Sequence, residues 1–516
     1  MKNREHKAPD TSVKIKDFDE LVGIVRKLKK QGKKVALSHG VFDLLHPGHI
    51  RHFESARNMC DVLVCTITKD EFVNKGPGRP VFNQRLRTES VAALECVDYV
   101  AVNKWPIAVE TIKRLKPDIY VKGADYRRRK DDVTGKIFDE EKAVQSVGGR
   151  IAFTDEITFS SSQILNRHFS VYPKETAEFI HFFKDRYSPE SIIKILKSLG
   201  KLKVLVIGDI IIDEYHYCAG IGKPQKADIL AAQYLSEEKF TGGVLAVAKH
   251  IANFCREVNL VSVIGTKNNY ESFILENLSP NIKPKFFYRH DVPTVVKQRF
   301  LNPAFLSKIF EINFIDDTKT TPEVSKEVCA YLNKVMRKYD LVVVADFGHG
   351  FLTADIINVL SSKSKFMAVN TQTNSANMGY NLITKYPRAS FVCIDEPEIR
   401  LAMHDKFGDL QKLILGVTRR LKCNKIIVTR GHLGSVSYEK GKGFSSIPVL
   451  SKEIVDRIGA GDAFLAVASP LIAAGHPIEL AAFVGNAVGA LAVLIVGNRN
   501  PVEQVPLFKF ITTLLK

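Results

Sequence analysis

Short runs of aliphatic and β-branched residues alternate with amphipathic helical stretches along almost the whole chain, and this leaves few folds open. FDELVGIVRKLKKQG reads as a helix, and KKVALSHG reads as a buried strand ending in a glycine turn. LLHPGHIRHFESARN (helix), CDVLVCTIT (strand), RLRTESVAALE (helix), VDYVAV (strand), AVETIKRLKP (helix) and DIYVKG (strand) follow, then a strand at IAFT and a helix at SSQILNRHF. Strands that alternate with helices lie parallel, with helices on both faces of the sheet. The expected class is therefore α/β, with doubly wound sheets. This first series spans 30–170, after an N-terminal extension and helix at 1–29. Residues 171–200 are helical in pattern but interrupted by Pro173 and Pro189, and read as a linker. A second α/β series starts at KLKVLVIGD and runs through VNLVSVIG, TVVKQRFL, LVVVADFG, ASFVCID and KIIVTRG into long apolar helices, giving a domain at 201–516. The two series carry different motifs, so the chain is not a duplication.

Composition excludes other classes. At 516 residues with 45% hydrophobic and 25% charged residues, the chain is neither disordered nor fibrous. Its eight cysteines show no metal-ligand spacing and sit in apolar runs, as buried thiols in a reducing compartment do. The N-terminal residues lack the apolar core of a secretory signal, so a cytoplasmic location is expected. The uncharged stretch 480–497 is at the lower length limit for a membrane span and contains Asn486, so it is expected to be a buried helix, with no membrane partner. The net charge of +18 is spread over both halves and is densest at 127–130. No nucleic-acid module is recognisable, and diffuse positive charge suits small phosphorylated ligands.

The first chemical constellation is SHGVFDLLHPGH. A strand leads through Gly40 to His46 and His49, three residues apart on one face of a helix that Pro47 opens. Helix N-termini bind phosphate, and two imidazoles there can donate to a phosphate as charge develops during displacement. Lys75 lies in a glycine-rich basic loop with Arg79 and Arg85. Lys122 ends a strand, and Ser160, Ser161 and Ser162 open a helix. Together these residues describe a phosphate-binding site.

The second constellation is VDRIGAGDAF. Gly459, Ala460 and Gly461 precede Asp462 at the start of an apolar helix, where backbone N–H groups can close on an anion and the aspartate can accept a hydroxyl proton. Asp209 and Asp213 end the first strand of this half, where open α/β sheets bind ligands. Gly242 and Gly243 permit close approach to a sugar, and Thr429, Gly431 and Gly434 form a loop of nucleotide size.

In order, HGVFDLLHPGH, KGPGRPV, the Gln84–Arg85 pair, VKGADY and SSSQI resemble the HxGH nucleotidyltransferases, above all the adenylyltransferase of ADP-heptose biosynthesis on the way to lipopolysaccharide. The resemblance implies that His46 and His49 act on the α-phosphate and that Lys75 contacts nucleotide phosphates. It implies that Ser161 and Ser162 hold the triphosphate, that Gly40, Phe42 and Asp43 line the nucleotide pocket, and that Lys122 and Arg85 serve the sugar phosphate. His39 stands where that family commonly has asparagine. From about residue 200 onward the chain resembles the ribokinase-like sugar kinases, and GDIIIDEYHY and ADFGHGFLT resemble the heptose 7-phosphate kinase branch. That resemblance implies Asp462 as general base, 459–461 as anion hole, and Asp213, Gly242 and Gly243 facing the sugar. It further implies Thr429, Gly431, Gly434 and Asn486 at ATP, Glu398 placing Mg²⁺, and a homodimer. The chain departs from the pattern at GGVLA, at Asp395 before Glu398, at His349 and at 370–382. It also places the transferase before the kinase.

The expected function is two reactions with ATP and sugar phosphates, one phosphorylating an anomeric hydroxyl and one making an ADP-sugar and pyrophosphate. Two alternatives stay open: a CTP-dependent transferase making a CDP-sugar or CDP-polyol, and a kinase-like half that only binds sugar or dimerises.

Overall fold

The computed structural model describes residues 10–123, 136–154, 172–224, 226, 228–304, 306–316, 318–451 and 453–516. They form two compact units. The first comprises residues up to Pro173 together with Phe508–Leu514 and Lys516, and the second is essentially Lys174–Leu507.

In the first unit, β1 (Val35–Gly40), β2 (Val62–Thr68), β3 (Tyr99–Asn103), β4 (Ile119–Lys122) and β5 (Arg150–Phe153) form one parallel sheet in the order β3-β2-β1-β4-β5. Alternate residues of β1 serve opposite cores. Val35 and Leu37 pack with Phe18, Leu21 and Ile112, whereas Ala36 packs with Phe53, Leu63 and Ile67. That is why the strands read as continuous apolar runs. The first helix, Phe18–Lys30, is capped by Asp17, whose carboxylate accepts the N–H of Asp19.

The second unit has a nine-stranded sheet. Its members are β6 (Lys203–Gly208), β9 (Glu257–Lys267), β10 (Ile282–Pro293), β13 (Leu341–Asp346), β14 (Met367–Thr371), β15 (Phe391–Asp395), β16 (Lys425–Thr429), β17 (Ser435–Glu439) and β18 (Gly443–Ile447). The order is β10-β9-β6-β13-β14-β15-β16-β17-β18, parallel up to β16. A separate sheet, β12-β11-β7-β8, is built from β7 (Ile210–Gly222), β8 (Ala231–Gly243), β11 (Val296–Asn302) and β12 (Ser307–Phe314). The chain passes from the large sheet to the small one at Asp209. The small sheet was not legible beyond β11, because much of β8 and β12 is exposed and mixed in polarity.

Residues 171–200 differ from the linker expected of them. Helices Lys174–Arg186 and Pro189–Ser198 belong to the second unit. Phe183 is buried and stacks on Phe483 with ring centroids 4.1 Å apart, and Arg186 pairs with Glu479 at 2.7 Å. Pro189 occupies the first turn of its helix, where its missing N–H costs nothing, so it starts the helix instead of breaking a fold. The apolar stretch near the C-terminus is helix Ile478–Ala492, with Leu480, Phe483, Val484 and Val488 buried in the unit. No helix among the described residues is long and apolar enough to cross a membrane.

Phe183→Ala should destabilise the second unit by about 3–5 kcal/mol, as truncating a buried aromatic does. Calorimetry resolving the two unfolding transitions checks this. An unshifted second transition would return 171–200 to the status of a linker.

Candidate active sites

In the first unit β1 leads to β2 on one side, and β4 begins the other side of the sheet. The crevice at their carboxyl ends is the switch point of the topology. Gly40 ends β1, and a Cβ there would lie 2.9 Å from the Phe42 ring. Phe42 has φ +49°, uncommon for a bulky residue, and its ring meets His49 edge-on at 5.5 Å. His46 caps helix Pro47–Arg57, its Nδ1 accepting the Gly48 N–H at 3.1 Å. In the neutral ring this leaves the proton on Nε2, a buried donor with no hydrogen-bond partner among the described residues. His49 Nδ1 is likewise buried without one, and the two rings lie 4.0 Å apart. Burial, with the charge of Lys75 added, lowers the proton affinity of both, His49 to about 3. Both are therefore neutral near pH 7, and an anion bound between them and Lys75 would raise their proton affinity. Burial lowers Lys75 itself to about 8, opposed by Asp43.

Asp43 organises the loop that follows Lys75. It accepts the N–H groups of Val81 and Phe82, each at 3.0 Å, and faces Arg79 at 3.9 Å. Gly76 sits in that loop with φ +94°, and any Cβ would strike the Phe510 ring of the same unit at 2.1 Å. Lys122 pairs with buried Glu140 at 2.9 Å and lies 5.0 Å from the Tyr120 ring. Ser161 and Ser162 fall outside the described residues.

Arg85, expected at the sugar phosphate, is exposed and pairs with Glu89 on its own helix at 2.8 Å. The buried arginine is Arg87, which donates to the carbonyls of Phe82 at 2.9 Å, Val41 at 2.5 Å and Thr68 at 2.8 Å, and to Asp70 at 2.5 Å. Two residues along a helix differ by about 200°, so only one of the pair can face inward. Arg87 joins the ends of β1 and β2 to the basic loop.

In the second unit Gly459, with φ +82°, caps helix Ala460–Ala473, and a Cβ there would lie 2.0 Å from Asn498 Oδ1. Ala460 and Gly461 form its first turn, whose N–H groups have no acceptors within the helix, and Gly461 borders open space. Asp462 is buried. Desolvation, then the charge of Asp213, raises it to about 7, while Gln372 and Lys297 pull it down. Asp213 accepts from Arg299, which also pairs with Glu311 at 2.7 Å. Gly242 faces Asp213 so closely that a Cβ would sit 2.2 Å from Oδ2, and Gly243 turns the chain into helix Val244–Ala252 with φ +58°. Asp209, raised to about 6 by burial and Asp346, accepts the Phe347 N–H at 2.9 Å.

On the other side Thr429 pairs in register with Asp395 and Ser435, and Asn486 donates to Ser435 Oγ at 2.6 Å. Gly431 and Gly434 shape the turn after β16 with φ +54° and +82°. Glu398 closes a capping box with Asp395 and accepts the Thr373 N–H at 2.9 Å. Burial, with Asp395 adding, raises Glu398 to about 9. His349, held near 3 by burial and Lys297, lies in the turn after β13. Arg87, Lys297, Arg299 and Gln372 were not singled out from sequence. The i, i+2 spacing of Lys297 and Arg299 in a strand was the available signal, whereas Gln372 offered none.

Two α/β units, each gathering buried charged groups at the carboxyl ends of parallel strands, define a protein of two nucleotide-binding-type folds. The family model for pfkB family carbohydrate kinases matches residues 201–505, more than half of the chain, and the cytidylyltransferase-like model matches 37–167. The chain belongs to the pfkB family of carbohydrate kinases, with a cytidylyltransferase-like domain ahead of the kinase fold. Its sequence is similar to "Bifunctional protein HldE" of Geobacter metallireducens, 36% identical over 172 residues (32% of this chain, 33% of that protein). It is also similar to the Aliarcobacter butzleri protein of that name, 42% identical over 148 residues (28% and 30%). The matched part spans about a third of the length of these curated relatives. Phosphofructokinase-2 of Escherichia coli, solved with potassium, shares the fold at a TM-score of 0.50 and 12% identity, over 61% of this chain and 100% of that one.

Arg87→Met should lower the stability of the first unit by about 3–5 kcal/mol, because it strands Asp70 and three carbonyls. Arg85→Met should change it by less than about 0.5 kcal/mol. Thermal melts of the two variants check this, and equal effects would count against the clamp.

Proposed function

We propose that the chain is a bifunctional enzyme of nucleotide-sugar synthesis. Its second unit phosphorylates a sugar phosphate, a heptose 7-phosphate by resemblance, at the anomeric hydroxyl using ATP. Its first unit transfers AMP from ATP to a sugar 1-phosphate, giving an ADP-sugar and pyrophosphate. The observation that carries the reading is the same in both units: the reacting residues, His46 with His49 and Asp462, lie at the N-cap or in the first turn of a helix. Such a place favours bound phosphate through free N–H groups and the helix dipole.

In the transferase the sugar phosphate oxygen attacks the α-phosphorus, and the bond to the pyrophosphate oxygen breaks. His46 Nε2 and Lys75 donate to the oxygens on which charge accumulates, and His49 supports them. Preorganised donors suffice here, without a covalent intermediate. Arg79 and Lys122 supply further positive charge around the same crevice.

In the kinase Asp462 takes the proton of the anomeric hydroxyl as its oxygen attacks the γ-phosphorus, and ADP departs with the bonding pair. The first-turn N–H groups of 459–461 receive the transferring phosphoryl group. Asp213, fixed by Arg299, faces the sugar with Gly242 and Gly243, and Thr429, Gly431, Gly434 and Asn486 border ATP. Mg²⁺ is implied by the family resemblance, and Glu398 fits it. Its carboxyl group is buried with its proton affinity raised, as a group that lacks a neighbouring cation would be. Among the described residues no three His, Cys, Asp or Glu side chains gather as a metal cage. That suits an ion held mainly by phosphates and water, which would offset phosphate charge when bound.

A homodimer belongs to this reading. On one face of the small sheet Tyr234, His216, Phe300 and Phe310 form an aromatic row across all four strands, with centroid spacings of 6.3, 4.9 and 4.4 Å. Tyr234, Phe310, Ile312 and Phe314 are exposed there, and we assign that face to a second copy of the chain. Phe310→Asp should convert a dimer to a monomer in sedimentation velocity, and a wild-type monomer would overturn the assignment.

His49→Ala should lower adenylyl transfer by about 10²–10³ and leave sugar phosphorylation intact. Asp462→Asn should do the reverse, by about 10²–10⁴, without loss of fold, since Asn has nearly the same size and its amide oxygen can still accept the Gln372 hydrogen bond. Equal loss of both activities in either folded variant would sink the two-site reading. Because only ionised Asp462 accepts a proton, the kinase rate should fall about tenfold per pH unit below about 7 and level off above it. Rate–pH profiles with saturating ATP check this.

A further inference from the structure

Gln372 follows β14 directly, and its side chain reaches Asp462. Nε2 donates to Asp462 Oδ1 at 2.8 Å. The backbone of Gln372 is fixed on both sides. Its N–H donates to the Asp346 carbonyl at 2.8 Å, and its carbonyl accepts from Asn381 Nδ2 at 3.0 Å. Asparagine side chains of the same loop fasten it to the turn after β13. Asn374 and Asn377 donate to the Phe347 carbonyl at 3.0 and 2.8 Å, and Asn381 donates to the Asp346 carbonyl at 3.0 Å. The next residue, Thr373, gives its N–H to Glu398. Two consecutive residues therefore hold two of the acids, Asp462 through a side chain and Glu398 through the backbone.

We infer that Gln372 is the positioning residue for the phosphoryl-transfer base, its amide holding Asp462 Oδ1 so that Oδ2 faces the sugar hydroxyl, and its N–H favouring the ionised carboxylate. This rests on the kinase reading above. The hydroxyl proton passes to Oδ2, the hydroxyl oxygen bonds to the γ-phosphorus, and the bond from that phosphorus to the bridging oxygen of ADP breaks. A neutral amide suits the task. It donates one hydrogen bond to an acid, whereas a lysine at that distance would form an ion pair and hold the carboxylate too weakly basic to take a proton.

The other groups around Asp462 cannot do this. Asp213 on β7 repels its charge and is itself bound by Arg299. Lys297 on β11 acts through its field, and no hydrogen bond from it to Asp462 exists among the described contacts. Cys393 on β15 is buried and raised to well above neutrality. On the helices packed alongside, Lys249 donates to Thr241, His250 accepts the Val502 N–H and Glu479 is paired with Arg186. On β13, Asp346 is bound by Lys385 and Tyr386.

The test uses the full chain and the variants Gln372→Leu and Gln372→Glu. A hydrogen bond to a charged group corresponds to roughly a ten- to hundredfold preference for that state. Gln372→Leu should therefore lower the kinase kcat by about that factor near pH 7, leave the KM for sugar phosphate within about twofold, and move the acid limb of the profile up by about one to two pH units. Gln372→Glu should lose more, because it adds a second carboxylate that competes for the same proton. A role confined to stability would lower the melting temperature and leave the limb in place, and that outcome overturns the inference. The Asp462 carboxyl can also be followed directly by ¹³C NMR in aspartate-labelled protein, with Asp462→Asn giving the assignment. Its midpoint should rise in Gln372→Leu, and an unmoved midpoint overturns the inference whether or not turnover is seen. A wild-type protein that phosphorylates no sugar phosphate overturns the kinase reading, and the NMR midpoint then decides alone whether Gln372 holds Asp462 ionised.

Discussion

A parallel strand covered by helices on both faces has no side chain to spare for chemistry, and this constraint governs where both sites lie. Every residue of β2 and β13 is buried, as are the first four of β1. Polar function is pushed past the carboxyl ends of the strands, to 40–49, to Asp209 and the start of β7, and to 346–350, 395–398 and 429–434. The segments at 46–49 and 395–398 also open helices, so they bring unsatisfied N–H groups with them. Close packing then dictates residue type. At Gly208 a Cβ would meet the Ala345 carbonyl at 1.9 Å, so no side chain fits where β6 hands the chain to Asp209.

The second consequence concerns charge. Acids forced into these turns lose water, and the fold compensates some of them with fixed cations. Asp213 has Arg299, Asp346 has Lys385, and Asp456 has Lys308 together with the Tyr215 hydroxyl. Each of these carboxylates is held by a cation that the protein itself supplies. Asp462 and Glu398 make no such ion pair, and burial, with the charge of Asp213 or Asp395 added, raises the proton affinity of each. A carboxylate that must later take a proton or face a cation brought in with substrate has to be left uncompensated by the protein itself.

Legibility in the sequence followed the same line. Strands such as VLVCTIT and LVVVAD were readable because burial on both faces writes a continuous apolar run, and the glycine turns were readable because few residues replace glycine there. The exposed strands β8 and β12 write no such run and went unseen. Arg87 leaves no mark in the sequence because composition cannot say which side of a helix faces in, and 171–200 reads as a linker because its prolines signal helix starts as well as breaks. Gln372 was invisible for a different reason: its partner is ninety residues away, and a single neutral amide leaves no local pattern.

The two sites follow opposite electrostatic logic, and this bears on why one chain needs both. In the first unit neutral histidines stand beside Lys75 and Arg79, with Asp43 acting on both cations. Such surroundings would favour a bound polyphosphate and would hold a nearby carboxylate ionised and feebly basic, unfit to activate a hydroxyl. In the second unit desolvation and the neighbouring Asp213 lift Asp462 into the range where it can remove a proton near neutral pH. An adenylyl acceptor, a sugar phosphate, arrives already ionised and needs no base, whereas an anomeric hydroxyl does. A site tuned for one acceptor is mistuned for the other by the sign of its field, so the proposed pair of reactions would be better served by two pockets than by one.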